Sequence, residues 1–105
     1  MIIAITSTGN NLNAKVDKHF GRCAYFIIYD TKTKGLEFLP NPFRNMESDA
    51  GKSAIELIVS KGVTRIISGE MGIKIKPLLD LYKIQLIILG KNKKSISEIF
   101  KLLNH

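Results

Sequence analysis

Apolar residues in this chain fall into short runs separated by polar, glycine- or proline-bearing stretches, and their spacing changes after residue 49. Ile2 to Thr6 is continuous and β-branched and is closed by Ser7-Thr8-Gly9-Asn10-Asn11, a buried strand followed by a loop. Ala24 to Tyr29 is a second strand run, rich in aromatic and β-branched residues. The turn chemistry of Asp30 to Gly35 predicts a hairpin with Leu36 to Leu39 as return strand. Pro40-Asn41-Pro42 ends that pairing, because proline lacks the ladder N–H.

From Ala50 to Lys61 the apolar positions Ala54, Ile55, Ile58 and Val59 recur at helical spacing. Asp49 or Ser48 stands where an N-cap belongs, and Gly62 suits a left-handed C′ position. Thr64 to Ser68 reads as a further strand, with Gly69-Glu70-Met71-Gly72 as the loop after it. A helix to about Tyr82 follows; Pro77 fits only its first turn, so the regular part begins at about Ile75 to Pro77. Gln85 to Leu89 is a buried strand run, and Ser95-Ile96-Ser97-Glu98 is a capping box opening a helix faced by Ile99, Leu102 and Leu103.

The element order is therefore β-β-β-α-β-α-β-α, an antiparallel meander continued by parallel crossovers. It predicts an α/β protein, a three-layer α/β/α sandwich on a mixed five-stranded sheet, with 1–105 as one domain. The first, fourth and fifth strands are nearly all apolar, so both of their faces are expected to be covered.

Charge narrows the classes of partner. Sixteen Lys and Arg oppose nine Asp and Glu, a formal charge of +7, which favours anionic ligands without choosing among them. The basic run Lys91-Asn92-Lys93-Lys94 reads as a solvated loop, and His105 as a frayed terminus. No apolar run approaches the roughly 20 residues needed to span a bilayer, and no secretory signal opens the chain. A cytoplasmic, reducing compartment is expected, in which the one cysteine stays unpaired.

The densest chemistry is Asp17-Lys18-His19-Phe20-Gly21-Arg22-Cys23. His19 and Cys23, four apart, are the soft and borderline metal donors; Gly21 permits a sharp turn and close approach of a ligand. Each also has an ordinary explanation: a turn-capping imidazole for His19, a small buried hydrophobe for Cys23. Arg22 would stabilise a thiolate or an anion, and Phe20 would anchor the turn in the core. Gly9, Gly69 and Gly72 can open backbone N–H groups toward an anion, and Met71 carries a soft thioether that more often serves packing. On the topology above, Ser7 to Asn11, His19 to Cys23 and Gly69 to Gly72 are expected to meet at one edge of the sheet.

Several enzyme classes are demoted. Ile2 to Thr6 offers no carboxylate for a two-metal nuclease, and a nucleophile elbow, a Walker A loop and a paired-carboxylate motif are all missing. One cysteine cannot build a zinc finger.

These residues resemble the dinitrogenase iron-molybdenum cofactor binding and biosynthesis domain, including its small stand-alone archaeal and bacterial members. The similarity covers nearly the whole chain: Met1 to Ile5, Val16 to Arg22, Tyr25 to Asp30, Asn41-Pro42, Gly51 opening a helix, and Ile66 to Gly72. The His-Phe-Gly-Arg block is its specific part. Ile73 stands where relatives often have proline, and Lys83 where a helix-ending glycine is common. The resemblance implies a ribonuclease H-like fold and a non-enzymatic carrier of an iron-molybdenum cofactor or its iron-sulfur precursor. The histidine of the motif carries over to His19 as the ligand; on their own chemistry Cys23 would be a second ligand, and Gly21, Arg22, Gly69 and Gly72 would line the cofactor. Such clusters are anionic, and an open loop with one or two ligands suits release.

The expected partners are an anionic metal cluster and a cluster donor or acceptor protein, with the chain a monomer or homodimer and no membrane involved. The competing reading is a small regulatory or scaffold module that binds a protein partner through the same sheet edge. Nucleic acid ranks last, because no basic helix or aromatic platform stands out.

Overall fold

The computed structural model describes residues 1–91 and 94–103; His105, and Asn92 and Lys93 of the basic run, lie outside the described residues. Strand β1 (Ile2–Ser7) holds the centre of a five-stranded sheet, and its alternation divides two cores. Ala4 belongs to one core and Ile3 and Ile5 to the other. Strand β2 (Tyr25–Asp30) pairs antiparallel to β1 with Ile2 opposite Asp30, and β3 (Leu36–Pro40) pairs antiparallel to β2. On the other side β4 (Arg65–Ser68) runs parallel to β1 and β5 (Gln85–Ile88) parallel to β4, giving the order β3-β2-β1-β4-β5.

Helices α1 (Ala50–Ser60) and α2 (Lys76–Leu81) cover one face through Ala54, Ile55, Ile58 and Leu79. Helix α3 (Ile96–Leu103) covers the other through Ile96 and Ile99. The α/β sandwich with a mixed sheet is thus the architecture expected from the element order. No helix among the described residues is long and apolar enough to cross a membrane.

Helix ends follow local chemistry. Ser95 and Glu98 form the capping box: Ser95 N–H donates to Glu98 Oε1 and Glu98 N–H to Ser95 Oγ, both 3.2 Å. Pro77 sits in the first turn of α2, after a 3₁₀ turn at Ile73–Ile75, where its missing N–H leaves no broken bond. Gly62 closes α1 at φ 80, its N–H bonded to Val59 O and that of Val63 to Ile58 O. The same pair of bonds closes α2, from Lys83 to Asp80 O and from Ile84 to Leu79 O, but there the left-handed residue is Lys83 at φ 57.

One expectation is corrected. Strand β5 is not covered on both faces: Ile87 and Ile88 are 39% and 48% exposed. It is an edge strand: α2, six residues long and so spanning about 9 Å, is too short to shelter Ile88 on its face, and Ile87 lies on the opposite face, the one that α3 packs against.

A side chain in the left-handed region costs about 1–2 kcal/mol, partly offset by glycine's greater freedom in the unfolded chain. Lys83→Gly should therefore raise stability by about 0.5–1 kcal/mol, read as a higher urea midpoint at unchanged slope.

Candidate functional site

The turn that carries His19 is pinned before it begins. Asp17 N–H donates to Thr6 O (2.9 Å), while Asp17 O accepts from Thr6 Oγ1 (2.7 Å) and from Gly69 N–H (3.1 Å). A Cβ on Gly69 would lie 2.5 Å from Lys18 Cα, so the ends of β1 and β4 grip residues 17 and 18 at backbone contact. Asp17 Oδ1 then accepts the His19 N–H (2.9 Å), starting an Asx turn that leaves the imidazole exposed. Phe20 turns inward and its ring meets Phe26 at 5.5 Å between centroids.

Gly21 is required by what lies behind it. A Cβ there would fall 2.7 Å from Gly51 N, so the turn rests directly on the first turn of α1. Asn41, itself buried, holds the same stretch: its Nδ2 donates to Gly21 O (2.9 Å) and Cys23 O (3.0 Å).

Together these segments enclose an open pocket of about 930 Å³. Its walls are Lys18 to Arg22, residues 47–52 at the start of α1, and Glu70, Met71, Gly72 and Lys74 with the beginning of α2. Asp49 occupies the N-cap position at φ 61 and makes no side-chain cap bond, contrary to the capping role expected for it or Ser48. The amides of Ala50, Gly51 and Lys52 consequently have no acceptor among the described residues. Such N–H groups carry the positive end of the helix dipole. Lys18, Arg22, Lys52 and Lys74 line the pocket against Glu47, Asp49 and Glu70, so its charge is mixed with a cationic excess. Among the described residues no three His, Cys, Asp or Glu side chains gather closely enough to hold a metal ion.

The residues singled out from sequence divide. His19, Gly21, Arg22 and Gly72 all line the pocket, and Gly72 has open space around it. Gly69 does not: its N–H serves Asp17, its O accepts from Gly90 N–H (2.8 Å), and Lys18 fills the space beside it. The Ser7 to Asn11 loop also goes elsewhere. It joins residues 12–16, which pair with the start of α3 through Ile96 N–H to Ala14 O and Ser97 N–H to Leu12 O. Arg22 lines the pocket, but its guanidinium donates to the carbonyls of Arg44, Met46 and Glu47. The start of α1 and Lys74 were missed as wall residues; a glycine inside the first turn of a helix, where propensity disfavours it, was the available signal.

Cys23 is fully buried in the core beneath Asn41 and is not among the residues lining the pocket. Burial, with the negative charge of Asp17 as a second cause, pushes its thiol from 9.0 up to about 12. Near neutral pH it is a protonated packing group, unsuited in this arrangement to bind metal as a thiolate. Because the folded state keeps this proton longer than the unfolded state, its contribution to stability is intact below about pH 9 and declines toward pH 12. Native protein should leave Cys23 unreactive to a disulfide reagent until urea unfolds it. Between pH 9 and 11 a Cys23→Ala variant should lose stability less steeply than the wild type, by up to about 1.4 kcal/mol per pH unit.

Comparison with known proteins adds the family. The sequence model described as dinitrogenase iron-molybdenum cofactor matches residues 1–104. An uncharacterised protein of Methanocaldococcus jannaschii is 34% identical over 98 residues, 86% of this chain and 77% of that one. A candidate NifB protein from Thermotoga superposes with a TM-score of 0.82 at 26% identity, over 98% of this chain and 86% of the other. The apo form of the orange protein from Desulfovibrio gigas shares the fold at a TM-score of 0.87 and 24% identity, again over 98% and 86%. On these grounds the chain belongs to the dinitrogenase iron-molybdenum cofactor family.

Proposed function

We propose that this chain is a non-enzymatic binding or carrier protein for an anionic iron-sulfur or iron-molybdenum type cluster, held in the pocket with His19 as protein ligand. The observation that carries the reading is the exposed imidazole of His19 beside the uncapped start of α1 in an open pocket of about 930 Å³. Lys18, Arg22, Lys52 and Lys74 outweigh Glu47, Asp49 and Glu70 in the pocket lining, and the chain's formal charge of +7 adds attraction for a polyanion. Membership of the dinitrogenase iron-molybdenum cofactor family supports a metal cluster as the class of cargo.

The donor set suits a cargo that brings most of its own ligands. One imidazole holds such a cluster at a single coordination position and lets it leave, whereas a closed four-ligand cage would retain it. Cys23 has no part in this, because its thiol is buried and protonated.

Anaerobic titration with isolated iron-molybdenum cofactor, followed by its absorption and by co-elution with protein, tests the reading. Wild type and Cys23→Ala should bind alike, and His19→Ala at least about tenfold more weakly, the scale of one lost metal-ligand contact or its supporting bond. Equal binding by His19→Ala would remove His19 as the ligand, and no binding by wild type would remove the function.

A second reading, a module that docks a protein partner at this edge, is favoured by Ile73, which stands 89% exposed beside the pocket loop. An Ile73→Ser change should then leave cofactor affinity intact and slow passage of bound cofactor to apo-dinitrogenase. Unchanged transfer would count against docking at this residue.

A further inference from the structure

Arg22 raises a question that its position in a basic pocket does not answer. Its guanidinium is exposed and lines the cavity, as a charge partner for an anion would. Yet three of its five N–H donors are already engaged: Nη1 donates to Arg44 O (3.1 Å) and to Met46 O, and Nη2 to Glu47 O (3.4 Å). All three acceptors are main-chain carbonyls of the segment that leads into α1. A bidentate pairing of both Nη atoms with an anionic cargo would require it to release carbonyls of that segment.

The opposite strand of this arrangement is Asn41. Its Nδ2 holds the carbonyls of Gly21 and Cys23, on either side of Arg22, while its Oδ1 accepts from Phe43 N–H (3.0 Å) and its own N–H donates to Ala24 O (3.1 Å). The His19 turn is thus held by a side chain from the 41–47 segment, and the 44–47 segment by a side chain from the His19 turn. Residues 47–52 form one wall of the pocket that His19 also lines, so the point where Arg22 grips the chain sets where that wall stands.

We infer that Arg22 is a positioning residue, which with Asn41 forms a reciprocal clamp between the His19 turn and the chain entering α1 and so shapes the pocket rather than lending its charge to the cargo. The inference rests on the cluster-binding reading for its functional consequence, but the clamp itself does not. Its chemistry needs arginine. A planar fork can reach several carbonyls at once, while a lysine ammonium is a single point charge on a flexible stem.

The lysine and alanine variants separate the two roles. Amide exchange on the cargo-free protein reads the clamp, since Met46 N–H bonds only locally to Phe43 O (3.1 Å) and depends on the segment's being held. Arg22→Lys and Arg22→Ala should both speed Met46 exchange about tenfold, the effect of losing roughly one to two hydrogen bonds. Titration of both variants with iron-molybdenum cofactor reads the function, and both should bind about tenfold more weakly despite the charge that lysine retains. Two results overturn the inference: unchanged Met46 exchange in both variants, or wild-type affinity in Arg22→Lys with weak binding only in Arg22→Ala. If the wild type takes up no cofactor, the proposed function fails while the exchange measurement still decides the clamp.

Discussion

Gly69 has no room for a side chain because the backbone of Lys18 occupies it, with 2.5 Å separating Lys18 Cα from where a Cβ would stand. This contact, together with the bonds from Thr6 and Gly69 to Asp17, is what the pocket is built on. It joins the ends of the two central parallel strands to a single point of the loop between β1 and β2. The His19 turn therefore leaves the sheet in one direction, toward α1, and the Gly21–Gly51 contact stops it there. Removing either glycine would force backbone apart, since neither close contact involves a flexible side-chain end.

The same constraint governs the chemistry the pocket offers. Pinning residues 17 and 18 sends alternate residues of the following stretch to different surroundings: His19 outward, Phe20 into the core, Gly21 against the helix, Arg22 to the rim and Cys23 inward. Two donors four positions apart thus end on opposite sides of the protein surface, and only the imidazole reaches the cavity. A site with one strong donor, unpaired helix amides and scattered lysines attracts an anion over a wide area without enclosing it. Such a balance is what the proposed carrier role requires.

Much of the molecule was legible along the chain because it rests on short-range rules. The capping box at Ser95, the proline in the first turn of α2 and the glycine closing α1 each act within a few residues, and each stands where local chemistry puts it. Lys83 shows the limit of such rules. A glycine was the natural choice there, and the packing of Leu79 and Ile84 in the core keeps the left-handed turn with a lysine in its place. The His-Phe-Gly-Arg block, contiguous in the chain, lies on the loop that lines the pocket.

The chain by itself determined the order of strands and helices, the mixed sheet and the family, since periodicity, caps and turn residues are local and the motif is contiguous. Tertiary structure decided the rest, because it depends on which backbone meets which. It turned Gly69 from an open amide into a packing contact, carried the Ser7 to Asn11 loop toward α3, and left β5 exposed at the sheet edge. It also buried Cys23 and engaged Arg22 with carbonyls more than twenty residues away. Burial and long-range hydrogen bonds are properties of the assembled fold, and no spacing within seven residues encodes them.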